Sequence, residues 1–270
     1  ERHRRALFAP GGRKKAGPQM KRLLTLLGRE VSHYFHQPLA YIVLFFFLLL
    51  TAANFHAGLV ALNREPSQTS VVEAFFNTVL FWFPFILIFP LLTMRLFSEE
   101  YKLGTIETLM TAPVRDGQVV LAKFFGSLFF YIVLWAPSLL YFVIFRWVSG
   151  QSAAESFGAY FGAYLLLVLV GMFYLSIGCL ASAMTKNQIV AASVTFALIC
   201  LLFFLGLLSF LFLKASSALR ELIYYFSTIE HMAEFSQGLF DTRPIVFYLS
   251  MTVFMLFLTF HVFQYRRWRS

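Results

Sequence analysis

The chain has 270 residues, of which 59% are hydrophobic and only 13% are charged. A single water-soluble core would not hide 35 phenylalanines, so this composition excludes an ordinary soluble globular protein and favours a membrane-embedded one. The net charge of +9 comes without a folded basic domain, which argues against a nucleic-acid-binding protein.

The first 37 residues divide into two segments that precede the apolar part of the chain. Residues 1–19 are basic, contain Gly and Pro and show no helical period, so we expect a disordered extension. In residues 20–37 apolar side chains recur at helical spacing, with Arg22 and Arg29 on the opposite face. This pattern predicts a cytoplasmic amphipathic helix on the inner membrane surface, and Pro38 marks the turn into the first span.

The apolar stretches that follow predict an all-α integral membrane fold with six spans. Crossing about 30 Å of hydrocarbon takes roughly 20 helical residues, and alternation of period two, which would indicate barrel strands, is absent. The first span is the weakest, because Asn54 and His56 fall near its outer end. The predicted spans lie near 38–60, 74–97, 118–147, 157–184, 188–213 and 244–265.

The distribution of basic residues predicts the orientation of these spans. With six spans both termini lie on one side, and that side carries 17 Lys and Arg residues against 5 on the other. Both termini, including the tail 266–270, are therefore predicted to be cytoplasmic. The segment between the second and third spans lies on the same side.

That segment, SEEYKLGTIETLMTAPV (residues 98–114, the charged segment), is too compact and too patterned for a plain linker. Ser98 can cap a helix that Gly104 interrupts, and Thr105 can cap a second short helix that ends at Pro113.

Ile106, Leu109 and Met110 share one face of this second predicted helix. A short helix with an exposed apolar face at the water surface predicts a contact with a soluble partner.

Further along, residues 214–243 form the largest outer segment, and an apolar stripe there predicts one or two short outer helices between spans five and six. Prolines at 84, 90 and 137 permit kinks in the second and third spans. The fourth span carries glycines that allow either close helix packing or hinges: Gly158, Gly162, Gly171 and Gly178.

Catalytic and metal-binding patterns are not found in the sequence. It contains no GxxxxGK[ST], HExxH, GxSxG or paired CxxC motif, and its six histidines do not show metal-ligand spacing. We therefore predict no catalytic residue, no metal site and no cofactor in this chain. An integral-membrane enzyme is disfavoured for the same reason.

The charged segment resembles the segment after the second span of ABC-2-type transporter permeases. The matching positions are Ser98, Glu99, Glu100, Lys102, Gly104, Thr105, Glu107, Leu109, Thr111 and Pro113.

A second match, STIEHMAEFSQGLFDTRPIVFY (residues 227–248), resembles the last outer segment and final span of the branch of the gliding-motility-associated permease subunit. With the N-terminal helix and PLAY at the first span, the resemblance covers about residues 20–270. The positions on the branch's pattern are His231, Phe235, Gly238, Asp241, Thr242 and Arg243.

The resemblance implies a six-helix permease in the bacterial cytoplasmic (inner) membrane, paired as a dimer with a second copy or a paralogue. Mg-ATP would bind to separate ATPase subunits, and the charged segment would be the coupling helix that docks on them. The implied coupling interface is Glu99, Glu100, Lys102, Gly104, Thr105, Ile106, Glu107, Leu109, Met110 and Pro113. A smaller second contact would involve Thr185, Lys186, Asn187 and Gln188.

Two functions remain open on the sequence alone. The first is an exporter of a lipid-linked, polysaccharide or other amphipathic substrate, with membrane lipid around its apolar spans. The alternative is a mechanical or regulatory subunit that acts on outer-side partners, including an auxiliary subunit with a periplasmic domain, without translocating a substrate. The three glutamates of the charged segment, Glu99, Glu100 and Glu107, could either pair with basic residues of the ATPase or cap local helices.

Overall fold

The computed structural model describes residues 18–64, 69–105, 115–150, 152–153, 157–211 and 224–267. Within these ranges the secondary structure is helical, with no strand. The helices are α1 (Pro18–His36), α2 (Pro38–Arg64), α3 (Val71–Asn77), α4 (Val79–Thr93), α5 (Ser98–Leu103), α6 (Asp116–Trp135), α7 (Ser138–Ser149), α8 (Phe157–Met184), α9 (Gln188–Leu211), α10 (Thr228–Ser236) and α11 (Thr242–Arg267).

Six helical segments within the described part of the chain are long and apolar enough to cross a membrane, which confirms the predicted fold class. Their exposed surface is also apolar, since Trp147 is 87% exposed and Phe157 82% exposed. A water-soluble protein would not present such faces. The segments are Pro38–Arg64, Val79–Leu103, Asp116–Ser149, Phe157–Met184, Gln188–Leu207 and Thr242–Arg266.

The second span begins at Val79, later than the predicted helix near 74–97. The backbone at Thr78 is extended (φ −72°, ψ 143°), which separates α3 from α4. The amide of Asn54, which is buried on α2, donates to the carbonyl oxygen of Phe75 on α3 at 2.9 Å. This hydrogen bond holds α3 inside the bundle. The first span was predicted to end near residue 60, close after Asn54, but α2 continues for ten residues beyond Asn54, to Arg64.

The prolines affect the spans differently. Pro84 and Pro90 lie inside α4 without ending it, whereas α6 ends at Trp135 and α7 begins after Pro137. A proline removes one helical hydrogen bond, which α4 tolerates twice, whereas the third span is interrupted at Pro137.

The central helix of the bundle is α8, which is mostly buried and packs against α4, α6, α9, α10 and α11. Three of its glycines lie where neighbours approach closely. A Cβ atom at Gly162, Gly171 or Gly178 would collide with Phe235, Tyr131 or Thr93, respectively. Close packing is therefore what these glycines provide in this structure.

The apolar side of α1 covers α6 within the protein. The hydroxyl of Tyr34 donates to the carbonyl oxygen of Leu92 at 2.9 Å, and the Tyr34 ring stacks on Phe130 with centroids 5.0 Å apart. The helix begins at Pro18, two residues before the predicted start, while residues 1–17 of the predicted extension lie outside the described residues. Its position on a membrane surface remains a prediction.

Candidate functional site

The charged segment begins with α5, a six-residue helix that follows α4 after a short turn. Gly104 ends it in the left-handed conformation (φ 72°), which glycine adopts without the steric cost of a Cβ atom. The predicted cap at Ser98 is wrong, because the Ser98 hydroxyl is buried and donates back to the carbonyl oxygen of Met94. This hydrogen bond holds the backbone at the start of α5.

A buried cluster of charges joins α5 to α1 and α6. The ammonium of Lys123, which is only 3% exposed, lies 2.8 Å from Glu100 Oε1 and 3.4 Å from Glu30 Oε2. Arg29 adds contacts of 2.9 Å to Glu30 and 3.8 Å to Glu100. The Lys123 ammonium also lies 5.6 Å from the centroid of the Phe97 ring.

The charges of this cluster stabilise one another. Burial raises the pKa of the Glu30 carboxyl, but Lys123 and Arg29 outweigh burial and hold the pKa below its usual range. Glu30 therefore remains ionised and keeps Lys123 paired in a poorly solvated place. The contact of Glu100 with Lys123 also shows that this glutamate is paired within the chain, which neither of its two predicted roles included.

Two further contacts join α5 to α8 and α11. The hydroxyl oxygen of Ser182 on α8 accepts hydrogen bonds from the backbone amides of Phe97 at 3.0 Å and Ser98 at 3.2 Å. The Arg266 guanidinium on α11 lies 4.8 Å from the centroid of the Tyr101 ring and donates to the carbonyl oxygen of Met184. Displacing α5 would therefore disturb α1, α6, α8 and α11 together.

A cleft of about 310 Å³ opens beside α5, between α1, α2 and α4. Its polar wall includes Glu99 and Arg95, and its apolar wall includes Leu39, Val43 and Leu91. Glu99 was predicted to contact a partner or cap a helix. In the structure it lines this cleft.

The remaining residues of the predicted coupling interface are placed only in part. Lys102, Gly104 and Thr105 are exposed at the end of α5. The second predicted helix falls in 106–114, outside the described residues, and with it Ile106, Glu107, Leu109, Met110 and Pro113.

The predicted second contact is a tight turn between α8 and α9. The Thr185 hydroxyl oxygen accepts from the Asn187 amide at 3.1 Å, and the Asn187 side chain accepts from the Ile189 amide at 2.9 Å. Lys186 and Asn187 are exposed, whereas Thr185 and Gln188 are half-buried. The turn follows Met184, whose carbonyl oxygen binds Arg266, so it lies at the same end of the bundle as α5.

The outer-segment motif lies at the opposite end and is mainly a packing element. His231 and Phe235 are buried on α10, and His231 Nδ1 lies 3.0 Å from the Tyr248 hydroxyl. Gly238 follows α10 with a positive φ of 83°. Asp241 accepts from the backbone amide of Arg243 at 3.0 Å at the start of α11, which begins at Thr242.

The buried His231 predicts a loss of stability in acid. Burial lowers its pKa to about 4, an effect that Asp241 only partly offsets, whereas the imidazole in the unfolded chain titrates near 6.5. The unfolded chain thus binds more protons between these values. We expect stability to be complete above pH 6.5 and to fall between pH 6.5 and about 4, by roughly 1 kcal/mol per pH unit.

Thermal unfolding of the detergent-purified chain at several pH values measures this effect. The variant His231→Gln should flatten the pH dependence, whereas His56→Gln, at an exposed position of α2, should leave it as in the wild type. An unchanged slope in His231→Gln would contradict the assignment.

Sequence reasoning missed most of the contacts around α5. Lys123 stood out only as an ionisable residue near the end of an apolar span, and this was the one available signal, since such residues are costly there. Nothing in the sequence indicated that Ser182 and Arg266 would contact α5.

The similarity to a known family covers one continuous part of the chain. A family model described as ABC-2 family transporter protein matches residues 36–203, more than half of the chain. This range includes α5 and the turn at 185–188 and ends before the motif at 227–248. No curated protein matches the chain.

Proposed function

The chain belongs to the ABC-2 transporter family and is a multi-pass permease subunit of an ABC transporter, and from this premise we propose that it exports an amphipathic substrate. Members of this family work with an ABC ATPase subunit, typically as a dimer. We propose that Mg-ATP binds to the separate ATPase. The partner permease would be a second copy or a paralogue.

The charged segment is the proposed docking element for the ATPase. The observation that carries this proposal is the attachment of α5, whose residues contact α6 through Glu100, α8 through the amide of Ser98, and α11 through Tyr101. A force applied to the residues that follow α5 would reach several spans at once. Closure of ATPase subunits is a rigid-body movement of the kind that such packed elements transmit.

The turn at 185–188 supports a second contact with the same partner. It is exposed at Lys186 and lies at the same end of the bundle as α5. The excess of basic residues at this end supports a cytoplasmic location, with both termini on that side and the chain in the inner membrane.

The docking proposal predicts that aspartate at Ile106 and Leu109 abolishes binding of the ATPase. A carboxylate placed in an apolar contact loses its hydration without gaining a partner, so the affinity should fall at least about tenfold. Co-purification of the tagged chain with the co-expressed ATPase, and stimulation of ATP hydrolysis, measure this effect.

The matched control is Leu239→Asp, because Leu239 is 60% exposed at the opposite end of the bundle. This variant should bind the ATPase as the wild type does. Survival of both readouts in the Ile106 and Leu109 variants would contradict the docking proposal. Vesicles reconstituted with both subunits then test export, and ATP turnover without movement of any substrate would contradict the exporter.

A further inference from the structure

Two opposite charges in the cleft beside α5 have polar atoms that lack partners. Arg95 Nε and Glu99 Oε2 are buried and form no hydrogen bond within the described part of the chain. Among the described residues the two side chains form no ion pair with each other, and the Arg95 guanidinium donates to Gln37 Oε1 at 3.5 Å. Because an unsatisfied buried polar atom costs about 1–3 kcal/mol, this arrangement indicates a ligand that brings both an acceptor and a donor.

The other charges around the cleft are already paired. Arg29, Glu30, Glu100 and Lys123 form ion pairs with one another, although Glu100 Oε2 is also buried without a hydrogen-bond partner. Arg95 and Glu99 line the cleft and form no ion pair within the described part of the chain. A purely anionic ligand would satisfy the guanidinium but would face the carboxylate. A zwitterion satisfies both groups.

The cleft changes from polar to apolar along the helices that line it. Val43 lies five residues after Pro38, the first residue of α2, which is a rise of about 8 Å along that helix. Leu91 lies four residues before Arg95, about 6 Å deeper along the second span. Leu87 and Leu91 are partly exposed, so the apolar wall continues onto the outer surface of α4.

We propose that this cleft binds the headgroup of a zwitterionic phospholipid that carries a primary ammonium, as phosphatidylethanolamine does. The phosphate contacts Arg95, the ammonium donates to the Glu99 carboxylate, and an acyl chain follows Val43 and Leu91. A volume of about 310 Å³ suits a headgroup, at the lower end of small-molecule sites. The site does not depend on the docking of an ATPase.

The donor requirement separates this lipid from its relatives. Phosphatidylcholine has the same phosphate, but its quaternary ammonium carries no N–H to donate to Glu99. Phosphatidylglycerol carries the phosphate without any cation. We therefore expect the chain to retain phosphatidylethanolamine about tenfold more than either lipid.

Native mass spectrometry of the detergent-purified full chain, incubated with the three lipids carrying identical acyl chains, measures this retention. Glu99→Gln should remove the preference for phosphatidylethanolamine over phosphatidylglycerol, since the amide offers no charge to the ammonium. Arg95→Gln should weaken retention of all three lipids. Arg146→Gln, at an exposed position of α7, should change neither property.

If Arg95→Gln fails to insert, the proposal can still be tested with two milder variants. Glu99→Gln is nearly isosteric with the wild-type residue, and Arg95→Lys preserves the positive charge. Equal retention of the three lipids by the wild-type chain would overturn the proposal. A preference that survives in Glu99→Gln would also overturn it. Retention of none of the lipids would show that the cleft has another occupant, and the proposal would be wrong.

Discussion

Replacing Lys123 by Met should destabilise the chain by about 3–5 kcal/mol, the usual cost of removing one partner of a buried ion pair. Lys123 is the cation that Glu30 and Glu100 share, and it is almost fully buried between α1, α5 and α6. Its loss leaves two carboxylates close together, with only the half-exposed Arg29 beside them. Thermal unfolding of the purified chain in detergent measures the change.

The charge and the shape of this cluster can be tested separately. Adding Glu30→Gln and Glu100→Gln to Lys123→Met removes the charges of these three residues and leaves that of the half-exposed Arg29. Since no buried carboxylate then lacks its cation, this cluster of similar volume should recover most of the lost stability. Arg64→Met, at an exposed position at the end of α2, should shift stability by less than about 0.5 kcal/mol. If Lys123→Met unfolds at the same temperature as the wild type, the cluster does not stabilise the fold.

The membrane spans were predictable because each depends on local composition. Twenty or so apolar residues in a row leave few alternatives to a membrane helix, and Phe157–Met184 has the bounds that its hydropathy indicates. The break at Thr78 was not predictable, since the apolar run continues through it. Just before this break the carbonyl oxygen of Phe75 accepts from Asn54, 21 residues earlier in the chain, a contact that local composition does not indicate.

The candidate site was predictable only where its signal is local. The charged segment could be recognised from its own residues and from its position between two apolar spans. Lys123 finds its partners 93 and 23 residues away, at Glu30 and Glu100, and no pattern in the sequence indicates such a pairing. The contact between Arg266 and Tyr101 likewise depends on the packing of the last span against α5.

These long-range contacts also explain why Glu99 and Glu100, adjacent in the chain, differ in role. Successive residues on a helix point about 100° apart, so one carboxylate can reach Lys123 on α6 while its neighbour does not. Glu100 Oε1 lies 2.8 Å from the Lys123 ammonium, whereas Glu99 forms no ion pair within the described residues. Glu100 therefore helps to hold α5 in place, and Glu99 is left for the lipid contact that we propose.

The position of α5 should also depend on Gly178, where α8 meets the end of α4. A Cβ atom at this position would collide with the side chain of Thr93, which is fully buried and hydrogen-bonded to the carbonyl oxygen of Phe89 at 2.8 Å. Gly178→Ala must therefore push α4 away from α8, at a cost of about 1–3 kcal/mol for overpacking.

One turn further along α8, the displacement would weaken the hydrogen bonds from Phe97 and Ser98 to Ser182, so the variant should lose stimulation of the ATPase as well as stability. Gly28→Ala is the matched control, because Gly28 lies exposed in α1 with nothing within 4 Å of its added Cβ. There the substitution should be neutral or stabilising by up to about 1 kcal/mol, since alanine favours the helix. Equal unfolding temperatures and equal ATPase stimulation in the two variants would mean that the close approach of α4 to α8 does not hold α5 in place.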